Sequence, residues 1–353
     1  MAYMNVLITG GSGFIGTNFI KKINSLDSFH KIVNLDKNTL LTNSLNLIDL
    51  NNPNYLYIEG DIINGNLVYE LFKEFNFNFI IHFAAESHVD KSIISPENFL
   101  RTNILGTHTL LEQSKKYIDK NNNKDFKFIH VSTDEVYGSL KNDDDAFLES
   151  NPYLPNSPYA ASKASSDLVV RSYVKTFNFP AIITNCSNNY GPYQYPEKLI
   201  PLVINNCLSF EKIPIYGDGK QIRDWLHVED HCRALLSILK NGKIGEKYNI
   251  GGGVEIANLD LIYFICSILD EIQPKGKEKY SELISFVNDR PGHDSRYAIN
   301  SSKIKNELNW KPIIDFHDGL RMTVKWYLDN QEWIKNIKDK NYQNWININY
   351  KDR

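Results

Sequence analysis

The chain has 353 residues, 42% of them hydrophobic, and a formal net charge of −3 at pH 7. That length supports an α/β body with a second lobe, and the near-neutral balance without a basic tail argues against nucleic acid as a partner. Cys186, Cys207, Cys232 and Cys266 lack metal-ligand spacing and read as free thiols of a reducing compartment.

No apolar run approaches the roughly 20 residues needed to cross a bilayer. Met1 to Met4 leads into a strand without a charged-then-apolar leader. The expectation is a soluble cytoplasmic protein with no membrane partner.

In chain order, Asn5 to Thr9 reads as a strand and Gly16 to Asn24 as a helix. Strands follow at Lys31 to Leu35, Tyr55 to Glu59 and Phe79 to Phe83. A helical pattern runs from Ser95 to Lys116, a strand from Phe126 to Val131, a helix from Tyr159 to about Thr176 and a strand from Ala181 to Asn185. This alternation of continuously apolar strands with helices predicts a Rossmann-type, doubly wound parallel sheet.

Asn121 to Lys124 is a polar loop, and Asp143 to Asp145 reads as a solvated loop rather than a metal cluster; no metal is expected. Beyond Gly191 and Pro192, segments such as Ile213 to Gly217 and Tyr248 to Ile250 interleave with helices at His231 to Leu239 and Leu259 to Leu269. The expected division is a dinucleotide-binding domain over residues 1–190, rejoined by some later segments. A smaller mixed α/β C-terminal substrate lobe over 191–335 and a tail over 336–353 complete it.

Gly10, Gly13 and Gly16 fall in a run, Gly10-Gly11-Ser12-Gly13-Phe14-Ile15-Gly16, between a strand and a helix. A tight turn, backbone approach to a pyrophosphate and close helix–strand packing all require glycine, and the helix N-terminus favours the anion. Asp36 ends the next strand, where a carboxylate accepts both ribose hydroxyls of NAD and repels the phosphate of NADP; Lys37 softens that choice. Asp61 and Ile62 have the position for adenine contacts, and Phe83, Ala84 and Ala85 end a strand beside the pyrophosphate.

Tyr159 and Lys163 are spaced i,i+4 and share one helical face. An ammonium near a phenol favours phenolate, so Tyr159 is expected to have a lowered pKa and to act as the base in an alcohol oxidation. Thr133, Asp134 and Glu135 follow a strand beside the expected nicotinamide position. Two carboxyls of different pKa in a partly dry pocket allow one to donate while the other accepts, as elimination requires.

With these residues placed, the chain resembles the extended short-chain dehydrogenase/reductases, and among them the dTDP-glucose 4,6-dehydratase family. The resemblance runs from Val6 to about Leu328. It is carried by GGSGFIG, HFAAESHVDKSI, STDEVYG, SPYAASKASSD, NNYGPYQYPEKLIP, IYGDGKQIRDWLHVEDH and DRPGHDSRYAIN.

The resemblance implies NAD as cofactor, a nucleotide sugar (dTDP-glucose favoured) as substrate, and a homodimer built on the helices at Ser95 to Lys116 and Tyr159 to Thr176. It implies oxidation at sugar carbon 4 with Tyr159 as base and Thr133 assisting. Glu135 then removes the proton at carbon 5, Asp134 protonates the leaving hydroxyl at carbon 6, and hydride returns to carbon 6. Ser87, Asn188, Glu197, Lys198 and Leu199 are implied at the sugar and diphosphate. Pro214, Tyr216, Arg223, Asn258, Arg290 and His293 are implied at the nucleotide end, and Lys37, Thr39, Thr102, Lys163 and Asn189 on the cofactor side.

Two departures stand out: Asn38-Thr39-Leu40-Leu41 after Lys37, and Ser295 where the family commonly has arginine. The rival activities are the same reaction on UDP-glucose and a nucleotide-sugar 4-epimerase; the second needs no elimination acid.

Overall fold

A computed structural model describes residues 4–26, 28–37, 44–50, 52–123 and 125–337. In chain order the strands are β1 (Met4–Thr9), β2 (Phe29–Asp36), β3 (Tyr55–Glu59), β4 (Phe79–His82), β5 (Lys127–Thr133), β6 (Ala181–Cys186) and β7 (Asn188–Tyr190). They continue with β8 (Ile213–Tyr216), β9 (Ile222–His227), β10 (Lys247–Ile250), β11 (Glu255–Ala257) and β12 (Ile284–Val287).

Seven of them form one parallel sheet in the order β10-β6-β5-β4-β1-β2-β3. Strand side chains alternate between its faces. Val6 and Ile8 pack with Phe19, Ile20, Leu235 and Ile238, from the helices Phe14–Asn24 and Val228–Asn241. Leu7, between them, packs on the other face with Val68, Phe72, Leu110, Leu111 and Val170, from the helices Gly65–Phe75, Thr107–Asn121 and Pro158–Phe177. Burial on both faces explains why these strands read as unbroken apolar runs.

The chain winds outward from β1 to β3, then restarts at β4 and winds the other way to β6. The crevice where the direction reverses lies beyond the ends of β1 and β4, which is where such sheets bind ligands. The later strands make two small sheets, β11-β9-β7 and β12-β8. Their core, with Ile204, Ile215, Trp225, Ile265 and Leu320, is separate from those of the large sheet. Tyr248 and Ile250 belong to β10, which returns to the edge of the large sheet against β6.

The helical expectation over Ser95 to Lys116 needs correction. Ser95 is non-helical, Pro96 restarts a short helix, Leu100–Gly106 is π-helical, and an α-helix then runs over Thr107–Asn121. Proline has no N–H to continue the preceding turn. Thr107 Oγ1 donates to the Asn103 carbonyl at 2.6 Å, occupying a backbone acceptor in the widened stretch. Asn121 still belongs to that helix and Asn122 caps it in the left-handed conformation; Lys124 is outside the described residues. Asp143 to Asp145 are exposed, and among the described residues no acidic or Cys/His group could hold a metal.

Candidate active site

Gly10 has φ +73°, and a Cβ on it would stand 2.5 Å from the Ala84 nitrogen; one on Gly16 would stand 2.3 Å from the Gly10 carbonyl oxygen. The turn therefore packs directly on the end of β4 and on the helix that follows. That helix, Phe14–Asn24, is capped by Gly13 without any side-chain acceptor, so its first N–H groups keep their capacity for an anion.

The loop residues Gly10, Gly13, Phe14, Ile15 and Gly16 line one cleft with Asp36, Lys37, Asp61, Ile62, Phe83, Ala84, Ala85, Thr102 and Asn189. The Ser12 N–H donates to Asp36 Oδ2 at 2.8 Å, and burial raises that carboxyl to about 7. Lys37 Nζ lies 3.8 Å from Asp61 and 3.5 Å from Glu86, so carboxylates at the cleft already balance its charge. A dinucleotide with two free ribose hydroxyls fits this donor set; an extra phosphate beside Asp36 does not. Thr39 lies outside the described residues.

Thr133, Glu135, Tyr159 and Lys163 line the same cleft, together with Ser87, Asn188 and Lys198. Thr133 ends β5 and caps the turn Asp134–Tyr137, its Oγ1 accepting the Glu135 N–H at 3.3 Å. Asp134 lies one layer behind: it is 2% exposed, and Thr133 Oγ1 donates to its Oδ1 at 3.2 Å. Burial, then Glu135 and Asp224, hold Asp134 well above the usual carboxylate range. Burial also raises Glu135, but Arg290, Arg223 and Lys198 oppose it. The two carboxyls thus differ in surroundings: acids outweigh Arg223 at Asp134, and cations outweigh Asp294 at Glu135.

The tyrosine differs from expectation. Burial, reinforced by Glu135, pushes the Tyr159 phenol well above its ordinary value rather than below it. Lys163 Nζ donates to the Val131 carbonyl at 2.8 Å and is itself lowered by burial. Its charge alone does not outweigh desolvation of the phenolate.

The residues assigned to the nucleotide end are split. Arg290 Nη1 contacts Asp90 Oδ1 at 3.0 Å, and Tyr216 donates to Asp90 Oδ2 at 3.1 Å. The His293 ring stands edge-on to Tyr216 at 6.1 Å, with Nδ1 2.6 Å from Asp289. Arg223 is buried over the Tyr297 ring at 4.4 Å and donates to the carbonyls of Ile222 and Asp294.

Lys198 Nζ donates to the Ser87 carbonyl at 2.9 Å. Glu197 is buried and accepts from Lys91 Nζ at 2.7 Å, away from the cleft lining. Leu199 opens the helix Leu199–Ser209 and packs on the lobe core. Pro214 lies in β8 opposite Ser285, and Asn258 opens the helix Asn258–Ile272 with its Oδ1 buried and unpartnered. Ser295 bonds Ser139 and the Leu140 carbonyl.

Residues overlooked in the sequence include Glu86, Ser132, Cys186, Ser187, Gln194 and Tyr195, which also line the cleft. Asp90, the partner of both Arg290 and Tyr216, was overlooked too. So was Asp167, one turn beyond Lys163, whose carboxylate meets His130 Nε2 at 3.1 Å, Tyr153 Oη at 2.8 Å and Asn185 Nδ2 at 3.1 Å. The spacing Lys-x-x-x-Asp was the available signal for Asp167; nothing local marks Asp90.

A family model described as GDP-mannose 4,6 dehydratase matches residues 7–323. A dTDP-glucose 4,6-dehydratase of Salmonella typhimurium is 50% identical, over 99% of this chain and 100% of that protein. Among solved structures, dTDP-glucose 4,6-dehydratase of Bacillus anthracis in complex with NAD is 46% identical with a TM-score of 0.84, covering 95% of this chain and 100% of that one. The Streptomyces venezuelae enzyme of the same name, with NAD and TYD bound, is 42% identical with a TM-score of 0.85 at the same coverage. The chain therefore belongs to the nucleotide-sugar 4,6-dehydratases and, among them, to the dTDP-glucose 4,6-dehydratase family.

Proposed function

We infer that the chain converts dTDP-glucose to its 4-keto-6-deoxy form, with NAD regenerated in place. The observation that carries this is the pairing of Glu135, in the dinucleotide cleft with Tyr159 and Lys163, with Asp134 one layer behind it among acids. An epimerase needs the tyrosine and lysine but has no use for that second acid.

Tyr159 Oη takes the proton of the carbon 4 hydroxyl, which Thr133 Oγ1 orients. NAD, when bound, supplies a hydride acceptor and donor, together with positive charge that favours the phenolate. Glu135 takes the proton at carbon 5, acidified by the new ketone, and later gives it back. Asp134 supplies the proton with which the carbon 6 hydroxyl leaves as water. Lys163 fixes the end of β5 through the Val131 carbonyl and adds positive charge behind Tyr159.

Lys198, Arg223 and Arg290 hold the diphosphate by charge-assisted bonds. Ser87, Asn188, Glu197 and Leu199 shape the sugar side, and Pro214, Tyr216, Asn258 and His293 the nucleotide side. Gly10 to Gly16, Asp36, Lys37, Thr39, Asp61, Ile62, Phe83 to Ala85, Thr102 and Asn189 serve the cofactor. The division into a cofactor domain over residues 1–190 with β10, and a substrate lobe over 191–335, belongs to the same reading.

We place the protein in the cytoplasm as a homodimer. The helices Thr107–Asn121 and Pro158–Phe177 pack side by side, and Leu105, Leu168 and Phe177 on or next to them are about half exposed. No helix among the described residues is long and apolar enough to cross a membrane.

Incubation with dTDP-glucose and with UDP-glucose, followed by the alkali-dependent keto-sugar chromophore, tests the activity. Faster turnover of dTDP-glucose is expected. Chromophore from UDP-glucose alone would reassign the substrate, and chromophore from neither would end the dehydratase reading.

A further inference from the structure

At and behind the reacting face, Asp134 Oδ2, Ser187 Oγ and Asp224 Oδ2 are buried and none has a well-aligned hydrogen-bond partner, though the Ser187 hydroxyl stands close enough to Asp224 to lower its carboxyl. Their residues are 2%, 3% and 1% exposed. Strand register explains why they are near one another. In the large sheet Thr133 pairs with Cys186, which brings the turn that begins at Asp134 to the end of β6, where Ser187 follows. In the small sheet Asn188 pairs with Trp225, so the step before sets Ser187 beside Asp224. Ser187 is thus the joint between two sheets, between the turn that carries Asp134 and the strand that carries Asp224.

Asp224 is held in place from behind. Its Oδ1 accepts the Val254 N–H at 3.0 Å, and a Cβ on Gly251 would stand 2.6 Å from Oδ2. Two carboxyls and a hydroxyl in a dry row cannot all be satisfied as two anions. A proton kept on one carboxyl turns a repulsion into a hydrogen bond.

We propose that Asp224 is a positioning residue for the elimination step: through Ser187 it shares one proton with Asp134, so that Asp134 is held as an acid directly behind Thr133 and the cleft. The proposal rests on the reading of Asp134 as the elimination acid.

The proton count closes. Tyr159 gains one proton from the carbon 4 hydroxyl, and Asp134 loses one as the carbon–oxygen bond at carbon 6 breaks and water forms. Glu135 returns to carbon 5 the proton it removed. Thr133 Oγ1, bonded to Asp134 and close to the Tyr159 phenol, carries the surplus proton back to the carboxyl pair.

Other charged and titratable groups face this pair. Around Asp134 stand Glu135, Arg223, Tyr159, Tyr137 and Cys186, and around Asp224 stands Glu255. Arg223 is the one cation in that set, and it opposes the effect without bonding either carboxyl. Burial raises Asp224 to about 7, consistent with a proton held near neutral pH.

The test is single-turnover elimination from dTDP-glucose by the NAD-loaded enzyme across pH, with Asp224→Asn and Ser187→Ala. Losing the like-charged neighbour, or the hydroxyl that links to it, lets Asp134 ionise earlier. The alkaline limb of elimination should therefore move down by at least about one pH unit, read as about tenfold slower water loss on that limb. Deuterium entry at carbon 5, which depends on Glu135, should continue.

Limbs that stay at the wild-type pH while rates fall evenly would overturn the proposal and leave both residues as packing. If Asp224→Asn does not fold, Ser187→Ala decides by the same criterion. Failure of the wild-type chain to act on dTDP-glucose at all would instead refute the activity on which the proposal depends.

Discussion

Glu135→Gln separates oxidation from elimination. Glutamine keeps the size of the side chain and its neutral hydrogen bonding but cannot accept a proton. Removing a positioned general base typically slows its step by about 100- to 10,000-fold, or about 3 to 5 kcal/mol of barrier. The surroundings fix where on the pH axis the base works. Burial raises the Glu135 carboxyl, and Arg290, Arg223 and Lys198 only partly restore it. The base form gains ground as pH rises through that raised value, so proton removal in the native enzyme should have an acid limb above the ordinary glutamate range. A bound diphosphate that neutralises the arginines pushes the limb higher still. The assay is proton NMR of sugar recovered from heavy water, run beside absorbance at the reduced-nicotinamide band. The variant should still show reduced cofactor on mixing with dTDP-glucose, and almost no deuterium at carbon 5. Deuterium entry at the native rate would assign the base to another residue, and loss of the absorbance transient would mean the substitution had disturbed oxidation instead.

Tyr159→Phe keeps the buried ring but removes the proton acceptor, so neither reduced cofactor nor keto-sugar should form; normal turnover would exclude Tyr159 as the base. Gly16→Val drives a side chain into the Gly10 carbonyl, whose oxygen is 2.3 Å from the would-be Cβ, and the purified variant should lose its bound NAD. Native NAD content after acid release would contradict that packing. Asp167→Asn removes the carboxylate that His130, Tyr153 and Asn185 share, at a cost of about 1 to 3 kcal/mol in urea unfolding. Its carboxyl is held below the usual value, so its contribution is present above the unfolded-state pKa and disappears as pH falls through the folded one. The gap between native and variant stability should therefore narrow in acid, and a gap constant with pH would count against an ionised Asp167.

What could be read from the sequence was set by how local its physics is. The glycine turn, Asp36 and the apolar strands each depend on residues within a few positions, and the structure places them in one crevice. Helix bounds were less legible where a side chain competes with the backbone. Thr107 takes the Asn103 carbonyl inside what reads as continuous periodicity, and Pro96 divides the segment further. Charge pairing was the least legible. Arg290 and Asp90 are 200 positions apart and meet only because the lobe folds back over the helix Val89–Ile94.

The protonation of Tyr159 shows the same limit from the other side. The i,i+4 spacing fixes which face Lys163 shares, but not how dry that face is, and burial outweighs one ammonium whose own bond goes to Val131. Spacing along one helix tells which groups share a face; only the packed sheet decides which form of each group is stable there. For the carboxyls burial acts in the same direction on two sides of one turn, but cations oppose it far more at Glu135 than at Asp134. Glu135 faces three cations, while Asp134 faces Asp224 across a serine joint that only the registers of two sheets create. Two carboxyls adjacent in sequence thus meet different surroundings, Glu135 at the cleft and Asp134 buried behind it, and if they serve as base and acid, changing the surroundings of one should leave the other's step in place.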